Sequence, residues 1–140
     1  MNSPNPINLP VNQGATAGAA FDTSRRRVIA SRTLEGAKVV NDLGEELGKI
    51  DQVVLDIDRG RIAYAVLSFG GFMGLGDKLF ALPWSSLQSD PVNERFILSG
   101  VDRARLESAP GFDKDHWPVF ADDQWAVGIH DYYGIDPYWQ

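Results

Sequence analysis

The stretch Val53-Val54-Leu55-Asp56-Ile57-Asp58-Arg59-Gly60-Arg61-Ile62-Ala63-Tyr64-Ala65-Val66-Leu67-Ser68-Phe69 decides the fold class. Its first half alternates. Val53, Leu55 and Ile57 fall on one side of an extended chain, and Asp56 and Asp58 fall on the other with Val54. Asp58-Arg59-Gly60 then turns the chain, with Gly60 free to adopt a positive φ. The returning run is apolar in both phases, Ile62, Tyr64 and Val66 against Ala63, Ala65, Leu67 and Phe69. A strand apolar on both faces is central and covered, so a second layer must lie over it.

Working outward, residues 38–41 read as a short strand, followed by the turn chemistry of Asp42-Leu43-Gly44. The strand entering the hairpin spans 47–58. A fourth strand covers 78–82 and stops at Pro83, after which Trp84-Ser85-Ser86-Leu87 reads as one helical turn. A fifth strand covers 95–99, and 102–108 reads as a short helix capped by Asp102. Five short strands at close spacing predict a mainly-β domain. The expected form is a small closed antiparallel β-barrel with short helices, because closure removes exposed sheet edges.

The last 29 residues differ in kind. They hold eight of the 15 aromatic side chains: Phe112, Trp117, Phe120, Trp125, Tyr132, Tyr133, Tyr138 and Trp139. Asp122 is placed to cap a helix running to about Tyr133, and Trp125, Ile129, Tyr132 and Tyr133 then form one apolar stripe. Gly134 stands where a helix-ending glycine belongs, with Pro137 beyond it. This C-terminal helical extension is expected to cover a barrel face, in its own chain or on a second subunit. The chain thus divides into an N-terminal arm over 1–30, a barrel over 31–108 and an aromatic, acidic extension over 109–140. The three parts are charged unequally. Residues 1–30 carry +2, residues 31–111 carry −3 and residues 112–140 carry −5. A basic arm and an acidic tail can attract each other within a chain or across a dimer.

Composition narrows the function classes. The 140 residues carry 13 basic and 19 acidic side chains, a net charge of −6, and no cysteine. That excludes disulfides, thiolate metal sites and cysteine nucleophiles. The acidic balance disfavours nucleic acid, which wants a basic footprint. Ser24-Arg25-Arg26-Arg27-Val28-Ile29 has the outline of a twin-arginine export signal, but Ser31-Arg32-Thr33-Leu34-Glu35 stands where the apolar stretch should be. The longest uncharged run past the polar N-terminal arm, residues 62–76, is shorter than the roughly 20 residues of a spanning helix and patterned as strand. The reading is a chain of the cytoplasm with no membrane span.

No motif names a reaction. Gly71 and Gly76 have the spacing of a P-loop, but Asp77 stands where the lysine must be and no helix follows. Phe72, Met73 and Leu75 on that glycine loop either fold back on the core or meet a partner. Asp56-Ile57-Asp58-Arg59-Gly60 begins like a calcium loop, but Leu67 stands where the closing glutamate belongs. Asp113, Asp115 and His116 cluster, and His130 adjoins Asp131, short of the roughly four converging ligands a divalent ion needs. No nucleophile or paired carboxylates accompany them. Catalytic residues, cofactors and metal ligands are therefore all read as none. Trp84, Trp117, Trp125, Tyr138 and Trp139 could stack bases, but the region is the most acidic of the chain. Core and interface roles fit them better, since Trp and Tyr dominate binding hot spots.

Residues 33–100 resemble the PRC-barrel family. The resemblance is carried by Gly36-x-x-Val39-Val40-Asn41-x-x-Gly44-Glu45-x-Leu47-Gly48-Lys49-Ile50-Asp51-x-Val53-Val54-Leu55-Asp56. It continues through Gly60 to Gly71 and through Leu79-Phe80-Ala81-Leu82-Pro83-Trp84. Pro110-Gly111-Phe112-Asp113-Lys114-x-x-Trp117-Pro118 and the closing Tyr132-Tyr133-Gly134 with Pro137-Tyr138-Trp139 are similar to the tail of stand-alone bacterial members. The resemblance implies a compact six-stranded barrel and a docking role. The family includes the cytoplasmic domain of a photosynthetic reaction-centre subunit and a domain of a ribosome-maturation factor. This chain lacks the membrane helix of the first and the partner domain of the second, and no binding residue carries over by motif.

The resulting expectation is a non-enzymatic protein-binding and assembly module that first binds itself, as a homodimer, and then a hetero-partner of unknown identity. Its candidate interface is Phe72, Met73, Leu75, Trp84, Trp117, Trp125, Ile129, Tyr132, Tyr133, Tyr138 and Trp139. The alternatives are a small-molecule or metal-ion sensor and a ribosome- or RNA-processing-linked assembly factor.

Overall fold

The computed structural model describes residues 27–70 and 78–140. The elements follow in the order α1 (Ser31–Leu34), β1 (Lys38–Val40), β2 (Glu46–Asp56), β3 (Arg61–Phe69) and β4 (Lys78–Pro83). A 3-10 turn at Trp84–Ser86 leads to β5 (Leu87–Asp90), β6 (Arg95–Leu98), α2 (Arg103–Glu107) and α3 (Asp123–Tyr133). The six strands form one sheet in the order β4-β3-β2-β1-β6-β5. Most neighbours are antiparallel, but β1 and β6 run parallel, pairing Val39 with Phe96 and Val40 with Ile97.

Two expectations need correction. The sheet is a curled half-barrel, not a closed barrel, and it is not wholly antiparallel. Closure would need β4 to pair with β5, and β4 instead spends its outer edge elsewhere. The Leu79 N–H donates to the Phe112 carbonyl and the Phe112 N–H to the Leu79 carbonyl, both at 2.8 Å, and α3 packs on the same strand. Edge protection thus comes from the C-terminal extension. The sixth strand, β5, is absent from the five that the pattern predicts. Leu87 belongs to it and not to the helical turn, and Gln88, Ser89 and Asp90 show no apolar alternation.

The core lies on the inner face of the sheet. Val39, Leu47, Ile50, Ala65, Leu67, Phe80, Leu82, Phe96 and Leu98 converge there, and Leu34 of α1 and Leu106 of α2 fill its ends. The covered second side of β3 is where the extension sits. Ala63, Tyr64 and Ala81 pack with Ile129 of α3 and, around it, Phe112, Phe120, Trp125 and Tyr138. The layer that β3 requires therefore comes from the same chain.

Local signals place the helices as read. Asp102 accepts the Arg105 N–H at 2.7 Å and Asp122 accepts the Trp125 N–H at 3.0 Å, so each cap satisfies a free donor of the first turn. Gly134 ends α3 in the left-handed region at φ 68°. Gly60 closes the β2–β3 hairpin at φ 63°.

A candidate docking surface beside the β2–β3 hairpin

Asp56, near the end of β2, is half-buried against the tail. Its Oδ2 accepts the Tyr138 hydroxyl at 2.6 Å, and its Oδ1 accepts the Arg59 N–H at 3.0 Å. The Tyr138 bond, then the Arg59 amide, hold its carboxyl below the usual carboxylate range. Burial, with the carboxylate beside it, pushes the Tyr138 hydroxyl up to about 12. Asp56 and Arg59 thus serve a hairpin turn, not a calcium loop. The bond ties the last residues of the chain to the hairpin 82 positions earlier.

Aromatic rings continue the wall. Trp125 meets Tyr64 edge-on at 5.3 Å between centroids and Phe120 at 5.4 Å. His130, fully buried, bonds the Ala126 carbonyl through Nδ1 at 2.8 Å, and Trp139 stands edge-on to its ring at 5.1 Å. Between this wall and the hairpin lies a groove of about 390 Å³, reaching from Val54 to Arg59 on one side and from Phe120 to Trp139 on the other. Leu55 and Ile57 stand on its hairpin side, 53% and 79% exposed. The alternation puts both on the side of Val53, opposite Asp56 and Asp58. The alternation holds through Val53, which packs on the core, but the hairpin runs past the core and its register shifts between Val54 and Leu55. Among the described residues no layer covers the last two apolar side chains.

The structure distributes the expected interface residues unequally. Phe72, Met73 and Leu75 lie outside the described residues. Trp84 does not line the groove and is tilted against Phe96 at 5.6 Å. Trp117 is tilted against Phe112 at 4.9 Å and stays 37% exposed. Ile129 is buried. The Tyr132 hydroxyl donates to the Arg105 carbonyl at 2.6 Å and the Arg105 guanidinium lies over its ring, which fastens α3 to α2. The Tyr133 hydroxyl is buried with no partner among the described residues, and burial pushes it up. Tyr138 and Trp139 line the groove, and Trp125 stands directly behind it. Sequence reasoning missed Leu55, Ile57 and Phe120. Their signal was apolar character, which does not separate core from exposed surface.

Asp113 and His116 meet in an exposed pair, Nδ1 to Oδ1 at 2.7 Å. Among the described residues no three potential metal ligands converge, and no helix is long and apolar enough to cross a membrane.

No curated protein matches the chain. Among solved structures it is similar to RimM of Pseudomonas aeruginosa, a protein assigned to 16S ribosomal RNA processing, at 23% identity and a TM-score of 0.37. That match covers 57% of this chain and 48% of the other, so the chain spans about half of that protein's length. A likeness of this size says nothing about shared partners. The family model is a different matter. The PRC-barrel domain matches residues 26–104, more than half of the chain and all six strands, and the chain belongs to the PRC-barrel domain family.

Proposed function

We propose that this chain is a non-enzymatic module that docks protein partners through the surface formed by the β2–β3 hairpin and the C-terminal extension. The observation that carries this is the pair Leu55 and Ile57, 53% and 79% exposed beside an aromatic-walled groove. Contiguous apolar surface rimmed by polar groups marks an interaction site, whereas singly scattered apolar residues do not. The half-barrel over 31–108 supplies the scaffold, and the extension over 109–140 supplies Tyr138 and Trp139, residue types that dominate interface energetics. A homodimer remains within this reading. One argument for it is weaker, because the α3 stripe finds its cover in its own chain.

The test is Ile57→Glu, which places a charge on the exposed rim and leaves the core untouched. A protein cross-linked to the wild-type chain in its native host should be lost with the variant. If self-association is the docking event, light scattering should show the mass fall to that of a monomer. An unchanged set of cross-linked partners together with an unchanged mass would remove this surface from the function.

A further inference from the structure

We infer that the groove takes a basic, apolar segment of a partner protein, a lysine or arginine flanked by bulky aliphatic residues; this rests on the docking reading above. The charge in the groove is one-sided. Among the described residues Asp56, Asp58 and Asp123 line it against Arg59, with Arg61 at the rim. Asp56 is already engaged with Tyr138 and Arg59, but Asp58 and Asp123 make no ion pair with any of the described residues. Arg61 already lies 4.3 Å over the Tyr138 ring, so the aromatic side chains left to a partner's cation are Phe120 and Trp139, which also line the groove.

An aromatic face beside unpaired carboxylates suits a cation on an alkyl stem. The stem lies along the ring and the head reaches the carboxylates. A small amine would satisfy those groups and leave Leu55 and Ile57 uncovered at the hairpin, so the fit is to a peptide with aliphatic neighbours. The same carboxylates repel phosphate, which disfavours a nucleic acid or an anionic lipid surface as the occupant.

The experiment uses the full chain and fluorescence anisotropy with three short labelled peptides: arginine alternating with leucine, glutamate with leucine, and arginine with serine. The arginine–leucine peptide should bind best. Asp58→Lys with Asp123→Lys should weaken it by about tenfold or more, because like charges at a contact cost far more than distant ones. Asp51→Lys with Glu107→Lys makes the same change in net charge on exposed sites outside the groove and should have much the smaller effect. If the lysine pair does not fold, Asp58→Asn with Asp123→Asn against Asp51→Asn with Glu107→Gln answers the same question. Equal losses from the two pairs, tight binding of the glutamate peptide, or no binding of the arginine–leucine peptide would each overturn the inference. Loss of a cross-linked partner with Ile57→Glu would still stand in those cases. The docking reading would then survive and only the chemistry assigned to its partner would fall.

Discussion

Gly48 shows how tightly single residues are held in this sheet. It sits on β2 opposite β3, and a Cβ built on it would stand 2.2 Å from the Ser68 carbonyl oxygen and 3.1 Å from its carbon. The neighbour is backbone inside a hydrogen-bonded ladder, so it cannot yield as a side chain would. Gly48→Ala is expected to lower stability by about 1–3 kcal/mol, the usual cost of overpacking. Gly128 is the contrast. It lies inside α3 with no atom of the described residues within 4 Å of an added Cβ, so Gly128→Ala is expected to raise stability by about 0.5–1 kcal/mol through helix propensity. Urea unfolding of the two variants checks both signs together. A neutral Gly48→Ala would mean the two strands do not approach as described.

At the scale of elements, α3 is the part whose placement matters most. Its caps at Asp122 and Gly134 and its apolar stripe are legible in sequence because they are local, set by side chains within a turn or two of each other. What it packs on is not local. Ile129 is buried against Ala63, Tyr64 and Ala81, residues of β3 and β4 about 50–65 positions away in the chain. Ile129→Ala is expected to cost about 2–5 kcal/mol, the range for truncating a buried aliphatic side chain. Thermal unfolding measures it. A loss comparable to an exposed substitution would mean that α3 does not cover the sheet. The hairpin illustrates the converse. Period-2 alternation puts Leu55 and Ile57 on the side of Val53, and it could not report that the hairpin outruns the core.

Acid and alkali should act on the whole molecule from opposite directions. Asp42, Asp56, Asp90 and Asp113 all accept hydrogen bonds in the folded state that hold their carboxyls below the ordinary 3.8. For Asp42 the first cause is the Gly100 N–H, for Asp56 the Tyr138 hydroxyl, for Asp90 the Asn93 side chain and for Asp113 His116. A lowered folded value means that their contribution is fully present above 3.8 and is lost as pH falls through the lowered values. Tyr64 and Tyr138 are raised from 10.0 to about 12 by burial. The folded state holds those phenolic protons more tightly, so that contribution is present below pH 10 and is lost as pH rises toward 12. Melting temperature against pH should therefore show a plateau that falls at both ends. Tyr138→Phe should flatten part of both falls, because it removes the phenol and the bond that lowers Asp56. An unchanged profile in that variant would mean that the link from tail to hairpin is not made.

Several features were determined by the chain's local chemistry: the strand character of both arms of the central hairpin, its glycine turn, the two capped helices, and the need for a second layer over β3. Each depends on side chains adjacent in sequence or on their period. Tertiary structure alone decided that β1 and β6 run parallel, that β5 forms from an unpatterned polar segment, that Phe112 occupies the edge of β4 so that the sheet stays open, and that the covering layer comes from the same chain. These depend on which distant segments meet, and a strand's pattern records how deeply it is buried but not which partner buries it.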